Sequence, residues 1–393
     1  MHVATSPGQA DAPWPSPLHV ALLQVAFLDD ERAAAAWLAA RDHIADADAL
    51  DDEARRLLPL VSRRLARLAP DDADALAERY RRTWAHNRRM LERLAPVLAG
   101  FESAGIATMA LKGVPLALCY YRDLGARPMA DVDLLVPTDR ADAALALLDA
   151  DGWRSPDGDS GLTRPVQLRA DHARSAVRDD GFSIDLHWHL REQFVIPGQE
   201  QRSSDDVWAA SAPLEVGSVT TRAPAAADLL LHVVVHGLTS HELARARWVA
   251  DAAMVCREPE RVDWDRFVEQ ARRRRVVLPA RAALELLVEL LDIALPTDVL
   301  DRLGQAPVSS LDRRAFSRAL SSEPRRTFGR SIVDLGPRWS WRRAKLGRVR
   351  ALLDVPGYRR DLWRVAHTWQ LPREAVRRAA GRARRQHDSS AAD

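Results

Sequence analysis

Strand-like segments occur in only one part of this chain, and their distribution is the strongest constraint on its fold. Between about 99 and 222, short apolar runs typical of strands alternate with helical segments. On either side, over 18–98 and 223–320, apolar residues recur every three or four positions, as in amphipathic helices. The pattern predicts an α+β protein in which a small mixed β-sheet core is embedded in predominantly helical N- and C-terminal regions.

The composition of the 393-residue chain excludes several protein classes. Its 47% hydrophobic content supports a sizeable core and excludes general disorder. No run of 18 apolar residues is present, and the N-terminal segment has no basic start followed by an apolar stretch, so we expect neither a transmembrane segment nor a secretory signal. The only cysteines, Cys119 and Cys256, exclude a disulfide framework and a cysteine-built metal site, and a cytoplasmic location is expected.

Both ends of the chain differ from its middle. Residues 1–17 contain four prolines and predict a disordered lead-in. At the other end, 321–393 forms a basic arm rich in arginine and tryptophan, beginning with a predicted linker over 321–338. Between 324 and 387 this arm has 18 basic and four acidic residues, a net charge of +14. The arm is expected either to bind nucleic acid or a membrane surface, or to dock on the acidic body, and docking is favoured.

Two carboxylates lie close together in the segment DVDLLV (131–136). Because strand side chains alternate, Asp131 and Asp133 leave the same face of the predicted strand. Two adjacent carboxylates repel each other unless a cation lies between them, and Mg²⁺ and Mn²⁺ prefer such oxygen ligands. Without further support, however, this spacing is more often a solvated strand end.

A possible phosphate site precedes this acidic strand. The predicted strand Ile106–Leu111 ends at Lys112 and Gly113, immediately before a predicted helix over 114–121. A glycine here lets backbone N–H groups and the helix N-terminus approach a phosphate, and Lys112 adds a positive charge. Arg127 is a further candidate for phosphate binding. The same residues also fit an ordinary strand–helix turn and a surface arginine.

A third carboxylate lies in Phe182–Leu190 (FSIDLHWHL), which has the clearest strand alternation in the chain. Asp185, His187 and His189 share one face of this predicted strand. On a neighbouring strand, Asp185 would add a metal ligand or a proton acceptor to the acidic pair. The alternative is a half-exposed polar face, with the histidines exposed or hydrogen-bonded to metal ligands.

Together these segments resemble a known family. LKGVPLALCYYRDLGARPMADVDLLVP (111–137), followed by SIDLHWHL (183–190), is similar to poorly characterised bacterial nucleotidyltransferases of the polymerase-β-type superfamily. The resemblance is specific over about 105–190. It extends more weakly over 30–290, where ARWVADAAM and VDWDRFVEQARRRR are also similar.

The resemblance implies transfer of an NMP group from an NTP, with ATP expected, to a hydroxyl of a small molecule or protein. It implies two divalent metals, Mg²⁺ or Mn²⁺, held by Asp131, Asp133 and Asp185. Lys112, Gly113 and Arg127 are the candidate nucleotide-binding residues, on the grounds of the turn and its positive charge.

The chain departs from the superfamily in one place. Val114 follows Gly113, where the superfamily usually has Gly-Gly or Gly-Ser with the second residue on a nucleotide phosphate. This departure motivates the alternative of a catalytically inactive nucleotidyltransferase-like protein that binds nucleic acid through its basic arm. The sequence indicates neither the acceptor nor the preferred base.

A histidine-based metallohydrolase is a third alternative. His232 and His236 are four residues apart, with His241 nearby, which would place the first two on one helix face. Three valines separate the pair, so the HExxH motif is absent and a packed helix is favoured.

Overall fold

The computed structural model describes residues 14–44, 50–156, 163–191, 194, 200–239, 246–320, 346 and 348–377. The predicted linker and most of the predicted lead-in lie outside these ranges. The described residues form an α+β fold, as the sequence predicts.

The N-terminal region is helical, as predicted. Its helices are α1 (Pro17–Phe27), α2 (Asp30–Ile44), α3 (Asp52–Leu68) and α4 (Pro70–Ser103). Asp71 and Asp72 lie in the first turn of α4, where negatively charged carboxylates stabilise the helix by interacting with the positive end of its dipole. The helix continues to Ser103 because Gly105, with a φ of +65°, is the residue that adopts the left-handed conformation after it.

Six strands form one mixed sheet. They are β1 (Met109–Leu111), β2 (Val132–Leu135), β3 (Ala173–Val177), β4 (Ser183–His187), β5 (Ala212–Val216) and β6 (Val219–Ala223). Their order across the sheet is β3-β4-β2-β1-β6-β5. β2 pairs in parallel with β4, and β1 in parallel with β6, whereas the other pairs are antiparallel.

Short helices connect these strands. They are α5 (Gly113–Pro115), which continues as a π-helical segment (Leu116–Tyr121), α6 (Ala141–Ala150), α7 (Arg164–Ala170) and α8 (Asp205–Ala210). The Thr138 hydroxyl donates to the carbonyl of Trp188 at 2.8 Å, and a 3₁₀ turn over Thr138–Arg140 leads into α6.

The predicted strand through Leu190 ends earlier, at His187. The backbone N–H groups of Trp188 and His189 both donate to the carbonyl of His172. Two successive amides cannot share one carbonyl in a regular ladder, so the pairing stops there.

The C-terminal helices complete the body. They are α9 (Ala226–Thr239), α10 (Arg247–Cys256), α11 (Trp264–Arg273), α12 (Val277–Leu291), α13 (Val299–Gln305) and α14 (Ser310–Leu320), and α15 (Arg348–Leu362) follows in the basic arm. The sheet separates two buried cores. Val132 and Leu134 pack in the core that includes α4 and α6. Leu135 points to the opposite face, into the core formed with the N- and C-terminal helices. Alternation therefore directs Asp133 to this second face.

The described part of the basic arm contacts the body through ion pairs. Arg169 of α7 binds Asp361 at 2.8 Å, and Arg364 binds Asp171 at 2.8 Å. These contacts agree with the docking alternative. Trp369 is 73% exposed and so does not pack on the body. Trp339 and Trp341 lie outside the described residues. None of the helices in the described ranges has the length and apolar character required to cross a bilayer.

Candidate functional site

The sheet register brings the predicted acidic residues together. Asp133 of β2 lies directly opposite Asp185 of β4 in the parallel pair. On its other side, Asp133 lies opposite Leu111, the last residue of β1. The turn that starts at Lys112 therefore begins beside the carboxylate pair. Sequence alternation predicted the faces of these strands, and the register supplies their adjacency.

Asp133 is almost completely buried and is bound by two cationic or polar groups. The Lys112 ammonium lies 2.6 Å from its carboxylate, and His187 Nε2 is hydrogen-bonded to the same oxygen at 3.0 Å. Burial alone would raise the pKa of Asp133, but the Lys112 charge and the His187 hydrogen bond hold this pKa well below its usual range. The carboxylate is therefore ionised and available as a metal ligand.

One group of side chains in the described ranges has metal-binding geometry. Ligand atoms of Asp133, Asp185 and His187 all lie within 4.8 Å of one another. His187 is thus a hydrogen-bond partner of the acidic site, one of the alternatives that the sequence left open. Its buried Nδ1 has no hydrogen-bond partner among the described residues. The two carboxylates offer the oxygen ligands that Mg²⁺ and Mn²⁺ prefer, whereas an imidazole is more typical of transition-metal sites such as those of Zn²⁺.

Asp131 lies at the edge of this group rather than within it. It precedes β2 and is half-buried. Burial raises its pKa above the usual value, and the charges of Asp133 and Asp185 raise it further, whereas Lys112 and Arg247 act in the opposite direction. Asp131 therefore experiences the charge of both other carboxylates, as expected for a member of one acidic site.

The turn after β1 is closely packed and strained. Lys112 has a φ of 43°, a conformation that residues other than glycine rarely adopt. At Gly113, an added Cβ would lie 3.1 Å from Sδ of Met129 and 3.2 Å from a guanidinium nitrogen of Arg127. The turn thus leaves little space for a side chain at Gly113, and the Lys112 amine lies against Asp133.

Arg127 belongs to a second, fully buried ion pair. Its guanidinium donates to both carboxylate oxygens of Asp251, at 2.7 and 2.8 Å, and Tyr121 donates to Asp251 at 3.0 Å. Burial lowers the pKa of Arg127, but the Asp251 charge outweighs this effect and raises the pKa overall. Arg127 is therefore not a surface arginine, the alternative that the sequence left open. Its role in phosphate binding remains a prediction.

Two residues beside the site were not singled out from the sequence. Asp251 and Arg247 both lie in ARWVADAAM, a segment that resembles the family but in which the sequence indicates no site residue. Buried Glu53 of α3 accepts hydrogen bonds from the backbone N–H groups of Ala246 and Arg247, at 3.3 and 3.0 Å. This contact fixes the start of α10. The sequence signal for these residues is a pair of charged residues four positions apart in an otherwise apolar segment. Its meaning depends on the partners Glu53 and Arg127, which are distant in the sequence.

The histidines of α9 do not form a metal site within the described ranges. Burial lowers the pKa values of His232 and His236 well below the usual value, so both are neutral. Neither belongs to the group of ligand atoms around Asp133. His241 lies outside the described residues.

Comparisons with known proteins give a family and a similar solved structure. A family model described as uncharacterised nucleotidyltransferase matches residues 50–292. A solved structure, an antigenic nucleotidyltransferase-like protein from Paracoccidioides brasiliensis, is similar with a TM-score of 0.36 and 13% sequence identity. The alignment covers 54% of this chain and 95% of that one. Comparison with curated protein sequences gives no significant match.

Proposed function

Because the chain belongs to the uncharacterised nucleotidyltransferase family, we propose that it is a metal-dependent nucleotidyltransferase. It transfers an NMP group from an NTP, with ATP as the expected nucleotide, to a hydroxyl of a small molecule or a protein. One observation carries the proposal. Asp133 and Asp185 lie opposite each other on parallel strands, with the Lys112 ammonium 2.6 Å from Asp133.

The metal in this proposal is Mg²⁺ or Mn²⁺, held by Asp133 and Asp185 with Asp131 beside them. When bound, such an ion would neutralise charge on the reacting phosphate and the leaving pyrophosphate. The carboxylate oxygens of these residues are the donor type that both ions prefer.

The side chains of the chain itself bind and orient the reactants. Lys112, with its side chain 18% exposed, can reach a phosphate oxygen of the NTP as well as Asp133. Asp185 is half-buried and accepts the proton of the attacking hydroxyl. The acceptor oxygen forms a bond to the α-phosphorus, the bond from this phosphorus to the bridging oxygen breaks, and pyrophosphate leaves.

Calorimetric titration with each NTP in Mg²⁺ or Mn²⁺ tests the proposal. The wild type is compared with Asp131→Ala/Asp133→Ala and with a matched control, Asp139→Ala/Asp142→Ala, which removes two exposed carboxylates. We expect NTP binding by the wild type and the control and its loss in the site variant. A folded wild type that binds no NTP contradicts the proposal. Transfer is then followed with NTP labelled at the α-phosphate.

Nucleic-acid binding by the arm is a second candidate function. It is favoured by the net charge of +14 over 324–387 and by the exposed ring of Trp369, which is stacked on His367 at 6.0 Å between centroids. Phosphate contacts of arginines would make RNA binding fall steeply with salt, and an exposed aromatic ring can stack on a base. We expect Trp369→Ala to weaken RNA binding. No RNA binding by the wild type at low salt excludes this function.

A further inference from the structure

The two cations that the sequence predicts to bind the triphosphate are each paired with a carboxylate. Lys112 is bound to Asp133, and Arg127 is bound through both oxygens of Asp251. Both candidates from the sequence therefore have their charge neutralised by a carboxylate. A triphosphate carries several negative charges, so a further cation is needed beside the acidic site.

Arg247 lies in the appropriate place. It is the first residue of α10, and the contact of Glu53 with its backbone N–H holds it there. Asp251 follows four residues later on the same helix face and binds Arg127, whose guanidinium contacts the Gly113 turn. The helix face that carries Arg247 is thus directed toward the phosphate turn.

The charge of Arg247 acts on the groups around the site. It acts to lower the pKa values of Asp131 and Tyr121. The pKa of Arg247 itself is lowered, first by burial and then by the charge of Arg127, while the charges of Asp251 and Glu53 act in the opposite direction. Arg247 is half-buried, so part of its surface remains exposed beside the turn. In the described parts of the chain, no carboxylate forms an ion pair with this guanidinium. The hydrogen bond between Arg247 and Glu53 is made by the backbone N–H of Arg247.

We propose that Arg247 binds the triphosphate of the NTP, at its β- and γ-phosphates, opposite the acidic residues of the sheet. This inference rests on the proposed nucleotidyltransferase function. An arginine presents several N–H donors in one plane, which matches the oxygens of a phosphate better than a lysine ammonium does. In this arrangement, Asp251 of α10 supports the turn through Arg127, and Arg247 of the same helix binds the triphosphate. The position that the superfamily fills with a second glycine or a serine is occupied here by Val114, so the guanidinium supplies phosphate contacts from another element.

The test compares three variants by calorimetry with Mg²⁺–ATP, inorganic pyrophosphate and adenosine as probes. Arg247→Gln removes the charge and keeps most of the stem, whereas Arg247→Lys keeps the charge. Arg272→Ala removes an exposed arginine of α11 as the matched control. We expect Arg247→Gln to weaken binding of ATP and pyrophosphate about 10- to 100-fold with adenosine unchanged. Arg247→Lys restores part of this loss, and the control behaves as the wild type.

Other outcomes separate this inference from the function on which it rests. If Arg247→Gln binds ATP as the wild type does, while Asp131→Ala/Asp133→Ala does not, the role of Arg247 is overturned and the proposed function stands. Equal losses for ATP and adenosine also overturn it, because they indicate a collapsed site. A wild type that binds none of the probes overturns both proposals.

Discussion

Two buried ion pairs flank the Gly113 turn, and they differ in how completely they are closed. In Arg127–Asp251, both side chains are 6% exposed, and two parallel hydrogen bonds join them. In Lys112–Asp133, the lysine side chain is 18% exposed, and the half-buried Asp131 and Asp185 lie beside the pair. Among the described side chains, no buried polar atom of the first pair lacks a partner, whereas Nδ1 of His187 beside the second does.

The difference separates structure from chemistry. A buried pair with matched charges and satisfied donors fixes neighbouring elements, here α10 against the turn. A buried carboxylate with further carboxylates beside it leaves unbalanced negative charge, which is unfavourable for folding and favourable for a cation. We therefore propose a structural role for Arg127–Asp251 and a functional one for the Asp133 group.

The largest expected effect follows from breaking the closed pair. Asp251→Ala leaves the Arg127 charge buried without a carboxylate and removes the acceptor of the Tyr121 hydroxyl. We expect the free energy of unfolding to fall by about 3–5 kcal/mol. Urea unfolding followed by circular dichroism measures it. The control, Arg122→Ala, breaks an exposed pair with Glu258 and should cost less than about 1 kcal/mol. Similar losses in the two variants would remove the structural role of Arg127–Asp251.

The open pair should instead respond to metal. Mg²⁺ at about 100 times its dissociation constant should stabilise the wild type by about 2.7 kcal/mol, since it binds the folded state. Asp133→Asn and Asp185→Asn should abolish this increment, because each removes a charged ligand. Thermal unfolding with and without Mg²⁺, against a chelator control, measures it. An unchanged increment in both variants would place the metal elsewhere.

A methyl group added at the turn should have a smaller effect. Gly113→Ala brings a Cβ to 3.1 Å from Met129 and 3.2 Å from Arg127, so neighbouring atoms must shift. We expect a loss of about 1–3 kcal/mol in the free energy of unfolding. Gly100→Ala is the matched control, because nothing lies within 4 Å of its added Cβ and the residue lies within α4. This second change should stabilise the protein by about 0.5–1 kcal/mol. The same sign for both substitutions would contradict the steric argument.

The contrast between the two pairs also marks how far sequence reasoning extends. Strand alternation predicts on which face of its strand each of Asp133 and Asp185 lies. In the structure, Asp133 lies in β2 and Asp185 lies in β4. Their adjacency depends on sheet order, which β-alternation does not encode. The position of Lys112 after the first predicted strand indicates a phosphate-binding residue, but it does not predict the ion pair with Asp133. The α+β class followed from the separate helical and strand-like regions of the chain.

The closed pair was harder to predict because its partners are far apart in the sequence. Arg127 and Asp251 are separated by 124 positions. Nothing local distinguishes Arg127 from a surface arginine, since burial arises only when α10 packs beside the turn. Glu53 is likewise separated by 194 positions from the backbone N–H of Arg247. Residues that are positioned by such long-range contacts, Arg247 among them, become interpretable only in the folded chain.

The smallest effect tests the unbalanced charge itself. In the folded state, the pKa of Asp131 lies above its ordinary value of 3.8, first because of burial and then because of Asp133 and Asp185. The folded state therefore binds a proton more tightly than the unfolded state, and stability falls as the pH rises from 3.8 through the folded pKa. Above that pKa the ionised Asp131 destabilises the metal-free protein.

Asp131→Asn should accordingly raise the free energy of unfolding by about 1 kcal/mol at pH 7 in chelator, with the gain disappearing at acidic pH. The same variant should bind Mg²⁺ more weakly, so that a residue unfavourable for the fold is favourable for the ligand. Urea unfolding across this pH range, with Asp139→Asn as the exposed control, measures the gain. A loss of stability at pH 7 would show that Asp131 is already balanced by Lys112 and Arg247, and the open site would then resemble the closed one.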